Sequence, residues 1–321
     1  MKGIQLCVVS PVYCEQDCIE TFYERLVAVL EPLDGIAFEL LFVDDGSTDG
    51  SLDLLRKIGQ QDKRVRVLAL SRNFGHQLAI TCGMDSARGD VVVVMDSDLQ
   101  DPPEVIPRML DQWRAGSKVV YGVRSSREGE SRVKLATARA FYRLLNRLSD
   151  VPLPLDAGDF RLLDRQVIDV LAEMREENRY IRGLVSWVGF PQSAVVYMRD
   201  ARHAGRTKYS LPKMMKLATD GITSFSQRPL RLAFTVGSVI TIIAALLAAY
   251  IVVAKLAEPA SSLPGFASLM CVVLFLGGFQ LLFLGLLGEY VGRIFGETKR
   301  RPLYIVADSF GGSAFDKGQA T

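Results

Sequence analysis

Histidine and tryptophan are scarce in this chain of 321 residues, with two of each. With only His76 and His203 available, a His-rich metal site is excluded, and any metal must be held mainly by carboxylates. Cysteine is sparse too. The five present, Cys7, Cys14, Cys18, Cys82 and Cys271, are odd in number and form no C-x-x-C pair. That excludes a disulfide framework and a thiolate metal cluster, and it places the polar part of the chain in a reducing, cytoplasmic compartment. An excess of one charge is also missing, since 38 Lys and Arg face 36 Asp and Glu for a net charge of +2. A dedicated polyanion binder is excluded on that ground, and no nucleic acid partner is expected. The apolar run before Ser10-Pro11 is too short for a signal-peptide core and reads as a buried strand.

What the chain has in plenty is apolar residues. They make up 49% against 23% charged, and the mean hydropathy is positive, too apolar for an ordinary soluble enzyme of this length. The excess sits in two uncharged runs, Leu232 to Ala254 and Phe266 to Gly288. At about 1.5 Å per residue, each makes a helix long enough for the roughly 30 Å hydrocarbon core. The connector from Lys255 to Pro264, with its prolines and serine pair, suits a turn outside the membrane. Arg228 and Arg231 precede the first run, and Arg293, Lys299, Arg300 and Arg301 follow the second. The positive-inside rule then puts both ends of a transmembrane hairpin in the cytoplasm. Gly277, Gly278, Gly285, Gly288 and Gly292 permit close helix packing or oligomer contacts. Just ahead, Leu211, Met214, Met215, Ala218, Ile222 and Phe225 recur at helical spacing. They read as an amphipathic helix on the cytoplasmic leaflet or as a surface helix of the soluble domain.

Residues 1–210 alternate short apolar runs with amphipathic stretches, the order of an α/β domain with a mostly parallel sheet covered by helices on both faces. Ligands of such folds bind beyond the carboxyl ends of the strands, and there the acidic turns collect. Ser10-Pro11-Val12-Tyr13-Cys14-Glu15 follows the first strand, and Asp44-Asp45-Gly46-Ser47-Thr48-Asp49 the second. Asp96-Ser97-Asp98-Leu99-Gln100-Asp101 follows the fourth, Val91 to Met95. Ser47 and Asp49 read as helix caps. Asp96 and Asp98, with Gln100 as a further oxygen ligand, form a hard-oxygen cluster suited to Mg²⁺ or Mn²⁺ carrying a diphosphate. Arg202, Arg206 and Lys208 cluster around Gly205, as a loop closing on phosphate or as a basic patch drawn to anionic lipid. His76 reads as a satisfied polar residue. Arg124, Ser125, Ser126 and Arg127 line an acceptor path or form a solvated loop, and Asp308 to Thr321 reads as a disordered tail.

Taken together, Val9-Ser10-Pro11-Val12-Tyr13, Val43-Asp44-Asp45-Gly46-Ser47, Leu70-Ser71-Arg72-Asn73-Phe74-Gly75, Asp96 to Pro103, Asp159-Phe160-Arg161-Leu162, Arg202 to Tyr209 and the terminal hairpin resemble the family 2 glycosyltransferases of GT-A fold. Within these they are most similar to the polyprenyl-phosphate sugar transferases, the bactoprenol glucosyltransferases in particular, with dolichol-phosphate mannose synthases as relatives. The resemblance implies a non-processive, inverting transfer of glucose from UDP-glucose to undecaprenyl phosphate, the alternatives being a polyprenyl-phosphate mannose synthase using GDP-mannose and a glycolipid or processive glycan synthase. The Q-x-x-R-W motif of processive synthases is absent from the sequence.

By the same resemblance Pro11, Tyr13, Glu15, Asp44 and Asp96 surround the nucleotide, and Asp96, Asp98 and Gln100 hold Mg²⁺ or Mn²⁺. Arg202, Arg206 and Lys208 bind the donor diphosphate or the lipid phosphate. Asp159 is the suggested base, although a phosphate monoester with a second pKa near 6 is already largely dianionic at neutral pH. Orienting the sugar or capping the helix near Asp164 are its other readings. The expected layout is a cytoplasmic GT-A domain at 1–210, an amphipathic helix at 211–229, two transmembrane helices within 230–292 and a cytoplasmic tail at 293–321. The resemblance further implies a homo-tetramer, expected in the bacterial plasma membrane with both termini cytoplasmic.

Overall fold

In the computed structural model, residues 3–125, 157–198, 228–257 and 265–312 are described. The chain divides into two units, one of Met1–Asn146, Val151–Lys216 and Arg301–Thr321, the other of Arg147–Asp150 and Leu217–Arg300.

The first unit is built on strands β1 (Ile4–Val12), β2 (Ile36–Asp44), β3 (Val65–Leu70), β4 (Val91–Val94), β5 (Val119–Arg124), β6 (Ala157–Asp164), β7 (Gln192–Tyr197) and β8 (Val306–Gly311). They form a single sheet in the order β7-β5-β6-β4-β1-β2-β3-β8. Strands β1 to β4 run parallel, β6 runs against its neighbours β4 and β5, and β7 is parallel to β5. The GT-A expectation of a mostly parallel sheet is met, with β6 and β8 as its antiparallel members.

Helices α1 (Ile19–Leu30), α2 (Ser51–Gln61) and α4 (Ile106–Arg114) cover one face. Ile19, Phe22, Leu26 and Leu30 fall at helical spacing and are buried against Leu6, Val8, Leu40, Phe42 and Val93. Each such side chain contributes roughly 1.5–3 kcal/mol by leaving water. Alternation along the strands sends Val9 and Val43 to the other face, where α3 (His76–Ser86) lies. A Cβ on Gly83 would stand 2.2 Å from Val9 Cγ1, so a glycine in α3 is what lets this helix settle onto β1. Helix α5 (Arg165–Glu173) starts where the Asp164 carboxylate accepts the Gln166 amide at 3.0 Å, and α6 (Ile181–Trp187) follows.

One expectation fails at the C-terminus. Residues 308–311 are not a disordered tail but belong to β8, paired antiparallel with β3 from Arg66↔Gly311 to Leu70↔Val306. The strand is nearly all exposed, so no apolar run announces it. Its hold comes from the ladder, from Phe310 packed on the core, and from the Tyr304 hydroxyl donating to Asp85 at 2.8 Å. Residues 313–321 lie outside the described residues.

The second unit contains α7 (Arg228–Ala257) and α8 (Phe266–Thr298), both longer than the uncharged runs inside them. Within α8 the stretch Phe275–Thr298 is long and apolar enough to cross a membrane, and among the described residues α7 offers the shorter apolar stretch Ala233–Ile243. The expected amphipathic helix at 211–229 lies outside the described residues up to 227.

Candidate active site

The acidic turns converge at the carboxyl edge because β1, β2 and β4 are parallel and adjacent. Val12 is in register with Asp44, and the Met95 amide bonds to Val9 O at 3.1 Å, which sets Asp96 beside the end of β1. Ser97 Oγ donates to Pro11 O at 3.1 Å, and Gln100 N donates to Asp98 Oδ1 at 3.2 Å.

The first two turns are laced to each other. The Cys14 amide donates to Ser47 Oγ and the Glu15 amide to Ser51 Oγ, each at 3.0 Å. Ser47 is therefore a tie between loops. Asp49 serves the start of α2, accepting the Ser51 amide at 3.0 Å. Asp44 Oδ2 accepts the Ser47 amide at 3.1 Å, while burial pushes its carboxyl up despite such bonds. Asp45 braces the next loop, accepting the Phe74 and Gly75 amides at 2.7 and 2.9 Å. Gly46, at φ +68°, lies where a Cβ would be 2.6 Å from Arg72 C and 2.7 Å from Asn73 N. Tyr13 is 41% exposed at the mouth.

At the centre stand Asp96, His76 and Asp159. His76, the first residue of α3, places Nε2 3.5 Å from Asp96 Oδ1 and 3.4 Å from Asp159 Oδ2. Arg182 of α6 grips Asp159 with both ends of its fork, Nε to Oδ1 at 2.8 Å and Nη2 to Oδ2 at 2.9 Å. Burial alone favours a neutral Asp159, but Arg182 and then His76 overcome it and hold the carboxyl well below its usual range. Burial likewise opposes a charged His76, yet the Asp159 hydrogen bond and the charges of Asp96 and Asp159 lift it to about 9. Asp96 is raised to about 6 by burial, with His76 pulling against it and the neighbouring carboxylates reinforcing it. Arg161, buried two residues beyond Asp159, donates to Gly158 O at 2.9 Å, and burial lowers it to about 10.

Among the described residues no group of three or more His, Cys, Asp or Glu side chains forms a cage for a metal ion. The donor set still fits Mg²⁺ or Mn²⁺, because such ions are held by one or two carboxylates plus substrate phosphates. Asp96 Oδ1, buried and without a hydrogen bond, is an oxygen of the hard kind such an ion requires.

The structure thus gathers Pro11, Glu15, Asp44, Asp96, Asp98, Gln100 and Asp159 along one edge of the sheet. Arg202, Arg206 and Lys208 lie outside the described residues, as do Ser126 and Arg127. Asp159 does not cap the helix near Asp164, which Asp164 caps itself. His76 and Arg182 were not foreseen as members of the site. His76 had a local signal, a polar residue just past a glycine turn at a strand's end. Arg182 had none, since its partner is far away in sequence.

A mostly parallel sheet with this carboxylate-lined edge is the architecture of the GT-A class. The chain belongs to glycosyl transferase family 2, whose model matches residues 7–171, and residues 228–294 match the GtrB C-terminal hairpin. It is 49% identical over 97% of its length to the uncharacterized glycosyltransferase YkcC of Bacillus subtilis (strain 168), covering 95% of that protein. It is 42% identical over 96% of its length to the uncharacterized glycosyltransferase sll0501 of Synechocystis, again covering 96%. The prophage bactoprenol glucosyl transferase homolog of Escherichia coli (strain K12) is 39% identical over 94% of this chain and 98% of its own.

Proposed function

We propose that the protein transfers a single hexose, glucose from UDP-glucose, to the phosphate of a polyprenyl carrier such as undecaprenyl phosphate. The observation that carries this reading is the union in one chain of a family 2 domain with a GtrB-type hairpin, along with similarity over nearly the whole length to a protein named for bactoprenol glucosyl transfer. A lipid-borne acceptor gives the hairpin its purpose. Helix α7 has 30 residues and α8 has 33, so at about 1.5 Å per residue each exceeds the roughly 30 Å hydrocarbon core. The flanking arginines and lysines favour a plasma-membrane hairpin with the catalytic domain and both termini in the cytoplasm. Its glycines permit packing in a tetramer.

In this reading Pro11, Tyr13, Glu15, Asp44 and Asp96 surround the nucleotide, and Asp96, Asp98 and Gln100 supply oxygens to a divalent cation. When bound, that cation would neutralise charge developing on the leaving diphosphate. Arg202, Arg206 and Lys208 hold phosphate oxygens of donor or acceptor. An acceptor phosphate oxygen attacks the anomeric carbon in line, the bond to the diphosphate oxygen breaks, UDP departs with the electron pair, and the configuration inverts. Because the nucleophile is already anionic near neutrality, Asp159 has no proton to remove. Pinned by Arg182 and His76, it serves as a fixed anion that orients the groups around the sugar.

The test is transfer by the full-length protein in detergent, with undecaprenyl phosphate, Mn²⁺ or Mg²⁺, and a panel of labelled UDP- and GDP-sugars. Labelled lipid from UDP-glucose, abolished by EDTA, is expected. Label from GDP-mannose alone would transfer the reading to a mannose synthase, and no lipid label from any donor would overturn the acceptor.

A further inference from the structure

The turn that begins at Asp96 ends at Asp101, whose side chain is buried. Asp101 Oδ1 accepts the Tyr197 hydroxyl at 2.5 Å, and Arg124 Nη2 lies 3.9 Å from the same oxygen. Tyr197 closes β7 and is buried as well. Its ring stands edge-on to Phe160, centroids 5.7 Å apart at 83°, and a Cβ on Gly122 would fall 2.7 Å from its Cε1. Ring and hydroxyl are therefore fixed from separate directions. Burial first, and Asp101 second, push the phenol pKa up, so the hydroxyl keeps its proton and donates.

The hydrogen bond joins two parts of the fold that are not neighbours in the sheet, since β5 and β6 lie between β7 and β4. On one side is the turn that carries Asp96 and Asp98. On the other is the end of β7, where Tyr197 packs on Phe160. Phe160, the ring's packing partner, directly follows Asp159.

We propose that Tyr197 is a positioning residue for the transfer reaction: its hydroxyl latches Asp101 and so fixes the 96–101 turn against the end of β7. The latch sets where the turn that carries the Asp96 and Asp98 carboxylates stands relative to the end of β7. It rests on the reading above that these carboxylates serve a divalent cation bound with the donor.

The test uses full-length protein in detergent and Tyr197→Phe, which keeps the ring and its packing on Phe160. UDP binding is measured by calorimetry with Mn²⁺ and with EDTA, beside hydrogen exchange of the 96–101 amides. Losing a hydrogen bond to a carboxylate predicts a roughly tenfold weaker UDP affinity in Mn²⁺. Unchanged affinity in EDTA, faster exchange in the turn and a turnover lowered more than the donor KM is raised are expected with it. Asp101→Asn, which retains an oxygen to accept the hydroxyl, should keep more of the Mn²⁺-dependent affinity than Asp101→Ala, and this pair decides the matter if Tyr197→Phe does not fold. Equal Mn²⁺-dependent affinity in wild type and Tyr197→Phe, or in the two Asp101 variants, would overturn the latch and leave a bond that only stabilises. A wild-type protein that binds UDP no better with Mn²⁺ than with EDTA would overturn the metal reading together with this proposal. That failure shows in the wild type, not in the variants.

Discussion

Arg182 and Asp159 meet fork to fork, with hydrogen bonds of 2.8 and 2.9 Å. The carboxylate lies near the start of β6 and the guanidinium on α6. A carboxylate held so firmly in its charged form is a poor proton acceptor, and its value to the site lies in where it stands.

Arg182→Ala leaves the buried Asp159 charge without its fork. A loss of about 2–4 kcal/mol in stability is expected, because removing one partner strands the other away from water. Arg182→Lys keeps the charge but not the paired geometry and should fall between. Thermal unfolding of the three proteins checks the order, and equal midpoints would contradict the assigned pairing.

The pH dependence of transfer separates a base from a positioning group. If the acceptor phosphate is the only group whose charge matters, the rate falls below about pH 6 as its second proton returns. Asp159→Asn should lower the rate and leave that limb in place. A variant whose rate climbs steadily with pH up to about 9, unlike the wild type, would show that Asp159 removes a proton.

Gly46→Ala adds a Cβ at φ +68°, 2.6 Å from a backbone carbon of Arg72. The backbone cannot swing aside as a side chain can, so about 2–4 kcal/mol of destabilisation is expected. Metal-dependent UDP binding should weaken with it, since Asp44 and Asp45 directly precede this glycine. Calorimetry and a melting curve read the two effects.

Much of this was legible beforehand, for a physical reason. Strands buried on both faces, such as Val91–Val94, read as continuous apolar runs, and turns at their carboxyl ends show their acids in plain view. Strand β8 was not legible, because an exposed edge strand with Phe310 as its inward anchor has no apolar pattern. The His76, Asp159 and Arg182 cluster was hidden because the fold alone brings together an α3 terminus, a β6 strand and α6. Asp164 was read only as marking a helix start, yet it also gathers Trp113 Nε1 at 2.7 Å and Lys118 Nζ at 3.0 Å.

That last cluster carries a pH signature. Burial would raise the Asp164 carboxyl, but hydrogen bonds from Trp113, the Gln166 amide and Lys118 outweigh it and hold the carboxyl below its ordinary value. A carboxyl lowered in the folded state contributes stability above its unfolded pKa of about 3.9 and loses it as the pH falls through the lower folded value. Asp164→Asn should therefore cost about 1–2 kcal/mol at pH 7, with the gap to wild type closing below about pH 4. A gap that stays constant down to pH 2 would contradict the assignment.

The central claim is that one hexose is joined to a polyprenyl phosphate. Mass spectrometry and proton NMR of the lipid extracted after reaction with UDP-glucose test it most directly. The account predicts a single glucose on the carrier phosphate, in the inverted β configuration and released by mild acid. An α-linked sugar, a chain of several sugars, or a carrier recovered unmodified while UDP accumulates would contradict it.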